Sequence, residues 1–391
     1  MKTLRDVDVF GKKVLVRVDF NVPMNKKGKV TDDLRIQMAL PTINYLLENN
    51  AKIILCTHMG RPGGERTPAY SLAPVAQHLA EVMGRAVKLA PDCIGPETEE
   101  MVQAMQAGEI LMLENLRFHK EETANNADFS QQLGKIADIY VNDAFAVSHR
   151  VHASVVGVTH HVEEKACGFL LQKELDNFAR SCEAPQRPLV AIVGGAKVSG
   201  KLEALENMLN RVDKLILGGA MANTFLKSQG YDVGASRVED DLMENARELL
   251  AKAASKGIKV YLPVDVVVAE DFRPDAVNKQ VTIQDIPEEW MVLDIGPASV
   301  ICFQEVLAEA RTIVWNGPMG AFEMDAFSRG TMAIAHSVAQ AHAFSVTGGG
   351  DSSAAIRQSG ESENISYMST GGGAFLMLME GKELPGVQAL F

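Results

Sequence analysis

Short apolar runs rich in β-branched residues alternate with longer segments of helical period along most of the chain. KVLVRV (13–18), KIILC (52–56), ILML (110–113) and IYVN (139–142) are predicted strands. LVAIV (189–193), KLIL (214–217), KVYLPV (259–264), MVLDI (291–295), TIVW (312–315) and FSV (344–346) continue the series. Between them, segments such as LRIQMALPTINYLLE, SLAPVAQHLAEVM, DDLMENARELLAKAAS and FSRGTMAIAHSVAQA repeat their apolar residues at helical spacing. Continuous apolar strands separated by helices predict βαβ units, and so an α/β chain built on parallel sheets covered on both faces. EAPQRPLV (183–190) places two prolines between the helical stretch GFLLQKELDNFARS and a fresh strand, and marks a domain boundary. That helix is predicted to connect two α/β domains of nearly equal size. Ligands of open parallel sheets gather beyond the carboxyl ends of the strands, so the strand-end loops are where chemistry is to be sought.

Composition narrows the class. A chain of 391 residues exceeds one ordinary core and predicts two domains. With 47% hydrophobic and 23% charged residues it reads as a soluble globular protein. MKTLRDVDVF has no apolar core segment and predicts no signal peptide. The uncharged run Thr331 to Gly350 contains two His, a Gln and several Ser, Thr and Gly; it reads as a helix and a strand, not a membrane span. Five cysteines (Cys56, Cys93, Cys167, Cys182, Cys302) lack C-x-x-C spacing, which points to a reducing cytoplasm and away from zinc. The net charge of -12 argues against nonspecific nucleic-acid binding. It is uneven: residues 1–167 hold 19 Lys and Arg against 21 Asp and Glu, residues 168–391 hold 19 against 29, and seven of nine histidines lie in the first part. The first half is therefore the better place for an anion held by local charge.

In the second half the strand-end loops are glycine-rich: VGGAK, LGGAM, DIGPAS, WNGPMGAFE and TGGGDSS. Gly at a strand end leading into a helix exposes backbone N–H groups, an anion site. Five such loops on one sheet edge favour a bound nucleotide. From Gly195 the sequence also runs Gly, four residues, Gly200, Lys201, the first seven positions of a P-loop, but the eighth is Leu202 where a magnesium-binding hydroxyl belongs. The spacing match is accidental; the lysines need not be. Lys197 and Lys201 are four apart, so a helix begun by Lys197 would project both from one face of its first turn, where two cations suggest an anion between them.

The first-half loops differ in kind: RVDFNVP (17–23), THMGRPGG (57–64), ENLRFHKEE (114–122) and NDAFAVSHRVHAS (142–154), with Arg35 opening a helix after TDD. The last three pair Arg61 with His58, Arg117 with His119, and Arg150 with His149 and His152. Arg forks match phosphate and carboxylate oxygens, so these loops predict a pocket for a small, multiply charged anion. A nucleotide on one domain, an anionic metabolite on the other and a cleft between them read as phosphoryl transfer, with closure to expel water. No H-R-D loop or Ser–His pair supplies a general base; a carboxylate acceptor needs none. A dinucleotide-dependent dehydrogenase lacks its G-x-G-x-x-G fingerprint here, and a two-domain anion binder without chemistry leaves Lys197 and Lys201 unexplained.

RVDFNVP, HMGRP, LENLRFH, VNDAF with HRVHAS, GGAKVSGK, VWNGPMGAFE, GGGDSSAA and STGGGAFLMLMEGKELPGV together resemble the phosphoglycerate kinase family, in that family's order, from residue 17 to the C-terminus. The resemblance implies reversible phosphoryl transfer from 1,3-bisphosphoglycerate to ADP, giving 3-phosphoglycerate and MgATP, a step of glycolysis, by a cytoplasmic monomer with no nucleic-acid or membrane partner. It implies two Rossmann-like domains, each a mainly parallel sheet with helices on both faces: 1–168 with a C-terminal tail of about 376–391 for 3-phosphoglycerate, a connecting helix 169–182, and 183–375 for nucleotide. Asp19 and Asn21 would hold the glycerate, and Arg35, His58, Arg61, Arg117 and Arg150 its phosphate and carboxyl groups. Arg35 and Lys197 would act on the transferring phosphoryl group and Lys201 on the nucleotide phosphates. Asn316 and Glu323 would face the nucleotide, the backbone of Gly349 and Gly350 would meet phosphate, Asp351 would stand near Mg2+ held through the nucleotide, and Ser352 would start the helix. Tyr367 stands where the family usually has His at the hinge, Ala146 replaces a usual Gly, and Ala321 is a variable apolar position; none touches a phosphate ligand in this reading.

Overall fold

The computed structural model of the chain describes residues 1–391, which divide into two units, Met1–Leu175 with Glu383–Phe391, and Asp176–Lys382. In the first unit the strands are β1 (Lys13–Arg17), β2 (Lys52–Cys56), β3 (Val87–Leu89), β4 (Ile110–Met112), β5 (Ile139–Asn142) and β6 (Glu164–Cys167). They form one parallel sheet in the order β3-β4-β2-β1-β5-β6. Both faces are covered, which is why these strands read as unbroken apolar runs. Val14, Val16, Ile53, Leu55, Ile110, Met112, Ile139 and Val141 pack with Ile36, Ala39, Ile43 and Leu46 of the helix Leu34–Glu48. The alternate residues Leu15, Ile54, Leu111 and Tyr140 are equally buried.

The second unit contains β7 (Leu189–Val193), β8 (Lys214–Leu217), β9 (Lys259–Tyr261), β10 (Asp265–Ala269), β11 (Asn278–Thr282), β12 (Met291–Ile295), β13 (Thr312–Asn316), β14 (Phe344–Gly348) and β15 (Tyr367–Met368). Six of them make a parallel sheet in the order β15-β14-β13-β7-β8-β9, and β11-β10-β12 make a small antiparallel sheet. Val190, Ile192, Ile313 and Trp315 pack against Phe303 and Leu307 of the helix Pro297–Ala308 and Ile334 and Val338 of the helix Arg329–Gln340.

Two expectations are corrected here. MVLDI is a strand, but it pairs antiparallel with β10 outside the main sheet. Its loop DIGPAS therefore does not share an edge with the other glycine loops, and its helix start is already filled: Asp265 accepts from the amides of Ala298 (3.0 Å) and Ser299 (2.7 Å). The segment 259–264 also shortens to β9, which ends at Tyr261; Leu262, Pro263 and Val264 lead into β10, which begins at Asp265. β11, NKQVT, has no apolar stripe because four of its five residues are exposed at the sheet's edge, so periodicity alone did not reveal it.

The helix Phe169–Phe178 starts on Asp143, whose Oδ1 accepts from the amides of Leu170 (2.8 Å) and Leu171 (3.2 Å). Gly168 is needed there, since a Cβ would stand 2.2 Å from that same oxygen. Asp143→Ala is expected to lower stability by about 1–2 kcal/mol through loss of this cap, with Asp143→Asn losing less; urea unfolding of the three proteins at pH 6 measures the difference.

Candidate active-site residues in the two units

In the first unit the loops after β4, β2, β1 and β5 leave the same edge of the sheet from four adjacent strands. Asn115 joins two of them: its Oδ1 accepts from the amides of Met59 (3.1 Å) and Arg117 (3.0 Å), and its Nδ2 donates to the carbonyls of Met59 and Tyr70 (both 2.9 Å). That weld positions His58 and Arg117, and Arg117 Nη1 donates to the Gly60 carbonyl (2.7 Å). Asn21 Oδ1 accepts from the Gly60 amide (3.0 Å), fastening the β1 loop to the β2 loop. Arg35, at the second position of its helix, donates to Asp19 Oδ2 (2.8 Å) and to the Asn21 carbonyl (3.2 Å). Arg150 Nε donates to His149 Nε2 (3.2 Å).

The electrostatics follow from crowding. Burial, and then the fields of Arg150 and Arg17, hold the Arg117 guanidinium down to about 10. Burial and the charges of Arg17, Arg117, Arg35 and Arg150 push His58 well below the usual imidazole range. Burial with Arg17, Arg117 and Arg150 takes His152 down to about 4, and burial with Arg150 lowers His149. The arginine charges that add to burial in lowering these histidines make the cluster electropositive, and an anion would relieve that. Asp19, Asn21, Arg35, His58, Arg117 and Arg150 are brought together; Arg61 is exposed on the same loop as His58 and Gly60. His119 turns away to Asp92 (2.7 Å). Asp92 and Cys93 with His119 offer atoms close enough for a metal ion. However, Asp92 Oδ1 already takes the His119 ring and the Cys93 amide, burial pushes the Cys93 thiol well above its usual range, and Arg66 faces Asp92.

In the second unit the loops after β14, β13, β7 and β8 share an edge in the same manner. They pack backbone against backbone. A Cβ at Gly194 would meet the Pro318 carbonyl at 2.1 Å, and one at Gly219 (φ +67°) would meet the Gly195 amide at 2.5 Å. These glycines therefore also build the loop stack, beyond any contact with ligand. Beside them lies a cavity of about 500 Å³ lined by Gly195, Gly219, Met319, Glu323, Asp294 and Asp351 among others. Lys201 Nζ donates to the carbonyls of Gly194 (2.6 Å) and Asn316 (3.1 Å), and burial lowers its pKa to about 8 against the pull of Asp351.

The helix here begins at Leu202, so Lys197 is not on its first turn, and the expected shared face with Lys201 is not formed. The reason is Glu239, whose carboxylate accepts from the amides of Val198 (2.5 Å) and Ser199 (3.1 Å) and holds the segment as a turn. Lys197 is exposed on that turn. Asn316 Nδ2 donates to the Gly348 carbonyl (2.9 Å). The Ser352 hydroxyl accepts from the Gly317 amide (2.6 Å) and donates to the Gly348 carbonyl (3.1 Å), so it braces two loops rather than facing outward. Gly349 (φ +103°) precedes the helix Gly350–Ser359, with Asp351 exposed in the first turn and Glu323 exposed at the cavity.

The sequence does not single out Asp294, Glu239, Glu122 or Ser154. Asp294 is the fourth of the five residues of β12, a polar residue in an apolar run, and that is its one signal in the sequence. Its oxygens accept from the amides of Ile295 (2.9 Å) and Gly330 (2.7 Å), and burial pushes the carboxyl up to about 7.

A family model described as phosphoglycerate kinase matches residues 4–382. The phosphoglycerate kinase of Desulfotalea psychrophila is 64% identical over 390 residues, covering 100% of both chains. That of Geobacter metallireducens is 56% identical over 380 residues, covering 97% of this chain and 96% of its own. The solved structure of phosphoglycerate kinase from Coxiella burnetii superposes with a TM-score of 0.90 at 41% identity, over 99% of this chain and 98% of that one.

Between about pH 4 and 7 the folded protein keeps a proton on Asp294 that the unfolded chain releases. The stability this group allows is therefore greatest below pH 4 and declines as pH rises through 7. Asp294→Asn is expected to gain on the wild type by on the order of 3 kcal/mol between pH 4 and 8, read from urea midpoints across that range.

Proposed function

This chain belongs to the phosphoglycerate kinase family, and from that premise we propose how its own residues perform reversible phosphoryl transfer between 1,3-bisphosphoglycerate and ADP, yielding 3-phosphoglycerate and ATP. The first unit takes the phosphoglycerate. Arg35, Arg61, Arg117 and Arg150 bind its phosphate and carboxyl oxygens, His58 donates a hydrogen bond, and Asp19 and Asn21 orient the glycerate. The observation that carries this assignment is the crowding of guanidinium groups around His58; burial, and then their charges, hold the imidazole well below its usual range and leave the loop edge short of negative charge.

The second unit (Asp176–Lys382) takes the nucleotide. Lys201 meets its phosphates, Gly349 and Gly350 offer backbone amides at a helix N-terminus, Glu323 and Asn316 contact the nucleoside side, and Ser352 keeps the phosphate loops in register. Asp351 fits a magnesium ion held mainly by nucleotide oxygens and water, since such an ion needs only one or two carboxylates; when bound it neutralises phosphate charge. Arg35 and Lys197 stabilise the phosphoryl group in flight, and exclusion of water from that group keeps ATP from being hydrolysed. The accepting atom is a carboxylate oxygen, so no residue has to remove a proton. In the cell we place this activity in the cytoplasm, carried by a monomer.

A coupled assay with 3-phosphoglycerate and MgATP tests the reading; no acceptor-dependent ADP release would overturn it. Arg35→Ala is expected to lower kcat by at least about a hundredfold with little change in the KM for ATP, because its charge acts where transition-state stabilisation is largest. Lys201→Ala is expected to weaken ADP and ATP binding at least about tenfold, measured by calorimetric titration.

A further inference from the structure

Arg17 ends β1 with its side chain fully buried. Its guanidinium is held on three sides: Nε donates to Ser154 Oγ (2.8 Å), Nη1 donates to the Val18 carbonyl, and Nη2 stands 3.2 Å from His58 Nδ1. Ser154 passes the charge on. Its hydroxyl donates to Glu122 Oε1 (2.6 Å), its amide donates to Glu122 Oε2 (2.9 Å), and its carbonyl accepts from the Tyr140 hydroxyl (2.8 Å). Glu122 is itself buried, so the cation and its counter-charge form one fixed chain beneath the loop edge.

This arrangement dictates a protonation pattern. A guanidinium has five donors and no acceptor, so the ring nitrogen it meets must accept. His58 Nδ1 then has no proton, and the proton of the neutral ring sits on Nε2. The alternative partner for an Nδ1 proton is Asp19 Oδ1, which at 3.8 Å is beyond hydrogen-bond reach. Charging the ring instead would put an imidazolium N–H against the guanidinium, and burial of the ring, with the charges of Arg17, Arg117, Arg35 and Arg150 around it, opposes that.

We propose that Arg17 is a positioning residue that holds His58 in its Nε2–H tautomer, so that the imidazole meets the anionic substrate as a neutral donor with its direction already set. The inference rests on His58 binding phosphoglycerate, as argued above. The consequence is specific. His58 offers the acceptor substrate a hydrogen bond rather than a charge, and Arg17 acts through it without touching the ligand.

Long-range 1H–15N correlation spectra of the 15N-labelled wild type, with the His58 ring assigned by comparison with His58→Gln, read the tautomer directly. The expected result is a neutral ring protonated on Nε2 from pH 6 to 8. An Nδ1–H ring or an imidazolium in that range overturns the proposal, and this readout needs no variant of Arg17. In kinetics, Arg17→Met is expected to raise the KM for 3-phosphoglycerate at least tenfold with the KM for ATP within twofold, and Arg17→Lys, which keeps a donor for Nδ1, to recover part of the loss. Equal effects on both KM values overturn it. His58→Gln places an amide donor where Nε2–H was and is expected to keep a lower KM for 3-phosphoglycerate than His58→Asn; the reverse order overturns it. Should Arg17→Met fail to fold, the wild-type spectrum and the His58 pair decide. A wild type inactive with 3-phosphoglycerate would remove the functional reading, while the spectrum would still report the tautomer.

Discussion

Parallel strand pairing is the constraint from which the rest of the molecule follows. In a parallel sheet all carboxyl ends lie on one edge, so loops far apart in sequence are forced into contact. The four loops that carry Asp19, His58, Arg117 and Arg150 leave four neighbouring strands of the first unit. The loops with Gly195, Gly219, Gly317 and Gly349 do the same in the second. Neither set needs a dedicated scaffold beyond the sheet that the apolar runs already build.

What the two edges do with that proximity differs. In the first unit, charged side chains crowd together with few carboxylates among them. Asp19 answers Arg35 directly (2.8 Å), and Glu122 answers Arg17 through a serine. Burial, and then the remaining positive field, lowers the pKa of the histidines among them. In the second unit the material is backbone. Glycine lets carbonyl and amide groups of adjacent loops approach within a distance that any Cβ would block, and the half-buried Lys201 is tied to two carbonyls there.

Four acids, two of them buried, fasten the framework around both edges. Asp143 starts the helix Phe169–Phe178, Asp294 holds the start of the helix Arg329–Gln340, Asp265 holds that of Pro297–Ala308, and Glu239 shapes the turn that carries Lys197. Each carboxylate accepts amide hydrogens that the backbone would otherwise leave without partners. The acids whose burial is deepest, Asp143 and Asp294, are also those whose carboxyls are pushed up, to about 6 and about 7. Amide hydrogen bonds only partly offset their desolvation.

By itself the sequence determined the α/β class, the parallel sheets and the loops that hold the candidate site, because burial on both faces writes a strand as an unbroken apolar run and a strand end as a glycine or a charge. The family resemblance lay in those same loops. It could not reveal β11, whose edge position leaves no apolar stripe, nor the antiparallel pairing of MVLDI, since a five-residue run looks alike in either direction. Nor could it place Lys197 off the helix, because the turn there depends on Glu239, some forty residues later in the chain. Arg17, Ser154 and Glu122 stood in plain sight within quoted motifs, yet only tertiary structure joined them into one buried chain that reaches His58. Local propensity is set by neighbours in sequence, whereas hydrogen-bond partners and desolvation are set by neighbours in space.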